Sequence, residues 1–315
     1  MILLTGASGV IGQDLAPRLN PDQLILARHR ARPDGAARQV AMDIRDPALG
    51  LSAADYAALA DEVDTIIHCA AITDMSGQVP ELSATNISGV RHVVDFANAA
   101  GARLHFVSTA YCSETYGPAA PVASEYVGSK RVAESVVHES GLDWTIIRPS
   151  IIAGHSQTGA IASFQGFHLF IATVLKGRLP IIPVARQTPC DFVAVDWVAE
   201  AIARIASAPV WGRTYWLTAG GASLTIEEMM ETGRSFASAR GRDLDQVELM
   251  TPQAVEADIL PGLRPRLQER LMILVNLAKV MARRTAFPSD LDAVDKAGLK
   301  QALLSNLDYW GAQNG

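Results

Sequence analysis

The sequence predicts an α/β protein: a doubly wound parallel sheet with a smaller, mainly helical cap toward the C-terminus. Three observations carry this reading. Short apolar runs alternate with helix-like stretches through the first 150 residues, as crossover connections between parallel strands require. A glycine-rich turn, Thr5-Gly6-Ala7-Ser8-Gly9-Val10-Ile11-Gly12, joins the first such run to the first helix-like stretch. Beyond residue 150 the alternation thins, and Gly, Pro and long helical patterns take over.

In order, the expected strands are Ile2 to Leu4, Gln23 to Leu26, Gln39 to Met42, Thr65 to His68, Leu104 to Ser108 and Thr145 to Arg148. Between them, apolar spacing predicts helices at Val10 to Leu19, Ala53 to Ala60, Glu81 to Ala100 and Tyr126 to Ser140. Pro149 lacks a backbone donor, which places the main boundary there. A return to the sheet is expected at Asp191 to Val195, followed by a helix over Asp196 to Ala206, and again at Thr214 to Leu217. The expected division is therefore a parallel-sheet domain over 1–150 and 189–218, with a smaller cap over 151–188 and 219–315.

Composition narrows the function classes. The chain has 315 residues, 49% hydrophobic and 19% charged, a formal net charge of −6 (27 Lys+Arg against 33 Asp+Glu) and three cysteines. That is ample for a large core and excludes a disordered chain or a disulfide scaffold. An acidic chain is a poor partner for nucleic acid. The longest apolar runs, Phe167 to Leu175 and Leu271 to Met281, fall short of the ~20 residues of a membrane span. With no basic leader in view, a reducing, cytoplasmic setting is the expectation. Cys69, Cys112 and Cys190 have no metal-ligand spacing and read as small packing residues.

The glycine turn carries the first chemistry. Gly6 permits a tight turn, Gly9 lets backbone approach a pyrophosphate, and Gly12 lets the helix close on the strand. Ser8, Val10 and Ile11 complete a phosphate-binding turn at the helix start. The second strand ends Leu26-Ala27-Arg28-His29-Arg30, with cations where a carboxylate would grip an NAD ribose. Arg28 and Arg30 therefore predict NADP(H). Asp43, followed by Ile44, is placed to accept from the adenine amino group, and the small Ala70 and Ala71 after the fourth strand leave room for a cofactor. His68, with no carboxylate at motif spacing, is expected to be structural.

Tyr126 and Lys130 stand four residues apart on one helical face, where an ammonium can tune a phenol. Upstream, Ser108 and Thr109 offer hydroxyls at the end of the fifth strand. Together with Asn86, Gly89 and Arg148-Pro149, this set resembles the extended short-chain dehydrogenase/reductase family in both content and order. The resemblance implies a Rossmann fold and a nicotinamide cofactor. Thr109 would hold the substrate oxygen, with Ser108 its rival and a cofactor neighbour. Tyr126 would exchange the proton, and Lys130 would contact the ribose. Pro149, Ser150 and Ile151 would complete the cofactor contacts.

Departures select a branch. Dehydratases of the family carry Asp-Glu where this chain has Ala110-Tyr111, and epimerases carry an asparagine near the end of the sixth strand, which is absent from Ile147 to Gly154. Arg148-Pro149-Ser150 followed by Gly154-His155-Ser156-Gln157-Thr158-Gly159 is instead similar to reductases of fatty-acyl and carrier-bound thioesters. That implies NADPH-dependent reduction of a carbonyl or acyl-thioester group. The alternatives are a nucleotide-sugar epimerase using the same Tyr126 and Lys130, and a non-catalytic NADP-binding regulator. An acyl carrier protein is an implied partner. A homodimer packed through the helices near Glu81 to Ala100 and Tyr126 to Ser140 is implied as well. The stretch from Arg264 to Arg284 holds six basic residues and one acid, Glu269. It is either a cap helix with a buried apolar face or a docking surface.

Overall fold

The computed structural model describes residues 1–29, 36–73, 80–115, 125–165, 167–168, 171, 181–241, 247–281, 285–292 and 294–314, with backbone alone at 80, 81, 270, 273, 277 and 280. Two compact units emerge: 1–112 with 125–149 and 195–217, and 113–124 with 150–194 and 218–315.

The first unit is built on a seven-stranded sheet. Its strands are β1 (Ile2–Thr5), β2 (Leu24–Arg28), β3 (Arg38–Ala41), β4 (Thr65–His68), β5 (Arg103–Val107), β6 (Trp144–Pro149) and β7 (Arg213–Leu217). They lie in the order β7-β6-β5-β4-β1-β2-β3, every pair parallel. The strand order reverses between β1 and β4, the point where sheets of this kind open a crevice for ligands. The central strands are apolar on both faces. Leu3, Leu4, Ile66, Ile67, Leu104, Phe106, Ile146 and Ile147 are all buried, as helices on both sides demand.

The helices of this unit are α1 (Val10–Leu15), α2 (Ala53–Glu62), α3 (Gly89–Ala100), α4 (Glu125–His138) and α5 (Val195–Ser207). α1 is shorter than its periodicity suggests. Pro17 cannot donate an i→i−4 bond, so the chain tightens into a 3-10 turn over Ala16–Arg18. α2 starts at Ser52, whose hydroxyl accepts from the Asp55 amide at 3.1 Å. α3 buries Val90, Val93, Val94, Phe96 and Ala97 and ends at Gly101 in the left-handed region (φ +61°). Before it, Ala84–Ser88 forms a π turn. Each large apolar side chain buried here contributes roughly 1.5–3 kcal/mol.

The second unit holds α6 (Ile226–Ser238), α7 (Pro265–Met281), α8 (Lys296–Asn314) and short strand pairs. One pair corrects the expectation for Asp191 to Val195. The strand there, Phe192–Ala194, pairs with Ile151–Ala153 in a separate two-stranded sheet. It is anchored locally: the Asp191 carboxylate accepts from the Ala219 and Gly220 amides at 2.8 and 3.0 Å and from the Ser223 hydroxyl at 3.0 Å. Only Arg213–Leu217 returns to the main sheet. Ser150 and 189–194 accordingly group with the second unit.

The 154–159 loop is clamped to α8. The Gly154 amide donates to Asn306 Oδ1 at 2.7 Å, and a Cβ on Gly159 (φ +68°) would fall 2.1 Å from the Ser305 carbonyl. α7 buries Leu271 and Val275 against Val255, while Arg264 and Arg266 are exposed and Lys279 pairs with Glu256 at 2.7 Å. Arg283 and Arg284 lie outside the described residues, as does the Arg270 side chain. Among the described residues, no helix is long and apolar enough to cross a membrane.

Candidate active site

The glycine turn is shaped by close backbone approach. A Cβ on Gly6 (φ +70°) would lie 2.6 Å from the Ala70 amide nitrogen, and one on Gly12 would lie 2.2 Å from the Gly6 carbonyl. Both positions therefore admit only glycine at this geometry. Gly9 differs: it is exposed, and an added Cβ would meet only the Gly6 carbonyl, at 3.1 Å. It begins α1 with no side-chain cap, so bare backbone faces outward there. Ser8 directs its carbonyl to Gln13 Nε2 at 3.1 Å, and Val10 and Ile11 are half-buried. Ala70 and Ala71 are also half-buried, with the Ala70 amide 3.4 Å from Thr5 Oγ1. This turn suits a pyrophosphate: glycine backbone, an uncapped helix start and small neighbours.

Thr5 Oγ1 lies 2.7 Å from His68 Nδ1. Burial, aided by the Lys130 charge, pulls the imidazole down to about 3, so His68 is neutral. It stacks on Phe106, as a packing residue does.

At the end of β2, Arg28 is half-buried, and Arg30 lies outside the described residues. Ala27, Arg28 and His29 present no carboxylate. Asp43 is shared within its own loop: it accepts from Arg45 Nε at 2.9 Å and from the Arg45 amide at 3.0 Å, with His29 Nε2 at 3.0 Å. The Arg45 hydrogen bonds hold its carboxyl well below the usual range. Ile44 is buried against Gly89, and its carbonyl lies 2.8 Å from His92 Nδ1.

Beyond β5, Thr109 is buried and its hydroxyl accepts from the Tyr111 amide at 3.4 Å. Burial raises the Tyr126 phenol above its ordinary value and neighbouring Cys112 adds to this, while the Thr109 hydroxyl opposes it. Lys130 is almost fully buried. Its Nζ donates to the Val107 carbonyl at 2.8 Å and sits 4.2 Å from the Phe106 ring centroid. Burial pulls this amine down to about 8.

The Lys130 amine is directed to the end of β5, where the Val107 carbonyl accepts from it. Ser108 turns toward Cys112, its hydroxyl 3.6 Å from Sγ. Pro149 closes β6 opposite Leu217, while Ser150 and Ile151 belong to the second unit, where the Ile151 amide donates to the Asp191 carbonyl at 3.3 Å.

Sequence reasoning missed a buried polar cluster beside these residues. Arg148 Nε donates to Glu134 Oε1 at 2.9 Å and Arg148 Nη2 to Oε2 at 2.5 Å, while Cys112 Sγ lies 3.1 Å from Oε1. The available signal was position: Glu134 continues the Tyr126–Lys130 row by one more turn of α4. Asn86, from the π turn, clasps the chain after β4. It exchanges bonds of 2.9 Å with the Ile72 amide and carbonyl and donates to Ser129 Oγ at 3.1 Å.

Residues 30–202 match the family described as male sterility protein. Among curated relatives, the hybrid PKS-NRPS synthetase mpsA of Macrophomina phaseolina is 30% identical over 207 residues, 58% of this chain and 5% of that protein. Aldehyde reductase lnaA of Aspergillus flavus is 28% identical over 264 residues, 72% of this chain and 25% of the relative. The chain spans only about a twentieth of the length of the PKS-NRPS synthetases it matches.

Among solved structures, the terminal R domain from the myxalamid PKS-NRPS biosynthetic pathway superposes with a TM-score of 0.76 at 23% identity, over 99% of this chain and 90% of that one. A UDP-N-acetylglucosamine 4-epimerase from Methanobrevibacter ruminantium reaches 0.68 at 17%, over 99% and 98%. These structural likenesses establish the fold. With more than half of its length matched by the family, the chain belongs to the NAD-binding male sterility protein family, within the extended short-chain dehydrogenases/reductases.

Proposed function

We propose that the protein is an NADPH-dependent reductase of acyl thioesters or the carbonyl compounds derived from them. The observation that carries this is the buried Thr109 hydroxyl and buried Lys130 beside the Tyr126 phenol, which Thr109 influences, at the strand ends that follow an uncapped glycine turn. The reductases among the relatives support the reaction class. Arg28, and the absence of a carboxylate from the end of β2, support NADPH over NADH.

A bound nicotinamide supplies a hydride to the substrate carbonyl carbon. The chain's own residues manage the oxygen. Thr109 holds it by a hydrogen bond, and Tyr126, whose raised pKa keeps the phenol protonated at neutral pH, donates the proton to the developing alkoxide. For a thioester, the resulting hemithioacetal releases the thiol and leaves an aldehyde. Gly6, Ser8, Gly9, Val10, Ile11 and Gly12 would hold the pyrophosphate and Lys130 the ribose. Asp43, Ile44, Ala70, Ala71, Ser108, Pro149, Ser150 and Ile151 would line the cofactor. The second unit would bind the acyl group, delivered free or on an acyl carrier protein.

The test is to mix the protein with NADPH and a panel of acyl thioesters of varied chain length, aldehydes and ketones, and follow NADPH absorbance. Thioester-dependent oxidation that is abolished by Tyr126→Phe is expected. Reduction of free aldehydes or ketones alone would remove the thioester assignment, and no oxidation across the panel would remove the reductase.

A further inference from the structure

The turn that carries Thr109 is tied to the helix that carries Tyr126 through Cys112. Residues 110–112 form a 3-10 turn directly after Ser108 and Thr109, and Cys112 closes it. Its amide donates to the Thr109 carbonyl at 3.4 Å, and its thiol lies 3.1 Å from that carbonyl and 3.1 Å from Glu134 Oε1. The Cys112 carbonyl in turn accepts from Arg131 Nε at 2.8 Å. Arg131 and Glu134 both stand on α4, one and two turns beyond Tyr126. Glu134 is held in place by Arg148 of β6, whose guanidinium meets both carboxylate oxygens and lies 4.9 Å from the Trp216 ring centroid. A bidentate pair this buried is stiff, and a charged acceptor strengthens the thiol hydrogen bond.

We propose that Glu134, clamped by Arg148, is a positioning residue for Thr109, acting through Cys112 to hold the Thr109 hydroxyl against Tyr126. The proposal rests on the reading of Thr109 and Tyr126 as the reacting pair. The Ser108 hydroxyl lies 3.6 Å from the same Cys112 sulfur, so both hydroxyl residues of the turn meet the thiol that Glu134 anchors. Without that anchor the turn keeps the Arg131 bond to the Cys112 carbonyl but loses its tie at the thiol, and the Thr109 hydroxyl samples a wider arc. Small displacements of a positioning group carry rate penalties of tenfold or more.

The test is a double-mutant cycle. In the wild-type background, Glu134→Gln is expected to lower kcat about tenfold with the NADPH KM nearly unchanged. In the Thr109→Ala background, where the positioned group is gone, the same substitution should change kcat by less than about twofold. Equal fold losses in both backgrounds would overturn the proposal. Cys112→Ala leaves the Glu134–Arg148 pair intact and serves where Glu134→Gln does not fold. It should lose kcat as Glu134→Gln does, with Cys112→Ser, which keeps a donor, retaining more than Cys112→Ala; full activity of Cys112→Ala would overturn the link.

A readout independent of turnover is alkylation of Cys112, followed by peptide mapping on folded protein. Glu134→Gln should raise its labelling rate about tenfold over wild type, and an unchanged rate refutes the anchor. Wild type inactive on every substrate would refute the reductase reading while leaving this labelling comparison decisive for Glu134.

Discussion

Burying Lys130 sets a stability against a function, and pH separates the two. The amine is almost fully buried and its pKa falls from 10.5 to about 8, chiefly because the ammonium is removed from water. Between those values the unfolded chain keeps its proton and the folded chain has released it. Stability therefore rises with pH across that window, and below it the charged amine destabilises the fold in full. At about 1.4 kcal/mol per pH unit, the whole window corresponds to about 3 kcal/mol, of which about 2 is gained by pH 10.

The comparison is with Lys130→Met, which fills similar volume without a charge. At neutral pH the two proteins should lie close together. Methionine relieves the burial cost but leaves the Val107 carbonyl without its donor, a loss of about 1–3 kcal/mol. The slope is the informative quantity, because other titrating groups cancel in the difference. Urea titrations of both proteins from pH 7 to 10 should show wild type gaining about 2 kcal/mol relative to the variant. Parallel profiles would refute the reasoning, since they would mean that Lys130 titrates alike in folded and unfolded chains.

Three further outcomes follow from the geometry. His68 and His105 are buried and pulled down to about 3 and about 4, so from pH 6.5 downward the unfolded chain binds protons that the folded one refuses; at pH 5 each costs about 2 kcal/mol, and a His105→Gln variant should show a shallower acid limb in urea melts. Gly12→Ala would drive a Cβ to 2.2 Å from the Gly6 carbonyl, so NADPH affinity measured by calorimetry should fall by about tenfold or more, and wild-type affinity would show that the turn can yield. Arg28→Glu should cost NADPH about ten- to a hundredfold in affinity and spare NADH, the worth of one charge-assisted bond; equal wild-type affinities for the two cofactors would sink the cation argument.

Much of the first unit was legible because parallel strands covered on both faces must be runs of Ile, Leu and Val, and such runs are visible without a structure. Thr65–His68 is the clearest, flanked by Val63 and by the small residues after Cys69. The early end of α1 was also written in the chain, at Pro17, although apolar periodicity argued for a longer helix. The strand at Phe192–Ala194 was recognisable as a strand and misplaced as to sheet. Three apolar residues carry no information about their partner, and it was the Asp191 carboxylate, bonded to Ala219, Gly220 and Ser223, that decided it. Cys112 and Glu134 were illegible for a related reason. A thiol reads as packing and a helix glutamate as solvated surface until Arg148, fourteen residues on, is seen beside them.

These particulars make α4 the element around which the site is assembled. Along one side of it, Tyr126, Ser129, Lys130 and Glu134 recur at helical spacing, and the last three reach three different strands or the turns that follow them. Ser129 is tied through Asn86 to Ile72 after β4, Lys130 to Val107 at the end of β5, and Glu134 to Arg148 in β6. A helix fixed at several strand ends cannot rotate or slide without breaking several buried polar bonds together, each of which costs more to leave unmade than it contributes when formed. The burial of Lys130 and the raised phenol of Tyr126 are therefore sustained by the same contacts that set their positions. That is why substitutions at Asn86 or Glu134, neither of which touches the Tyr126 phenol, should alter the reaction before they alter the fold.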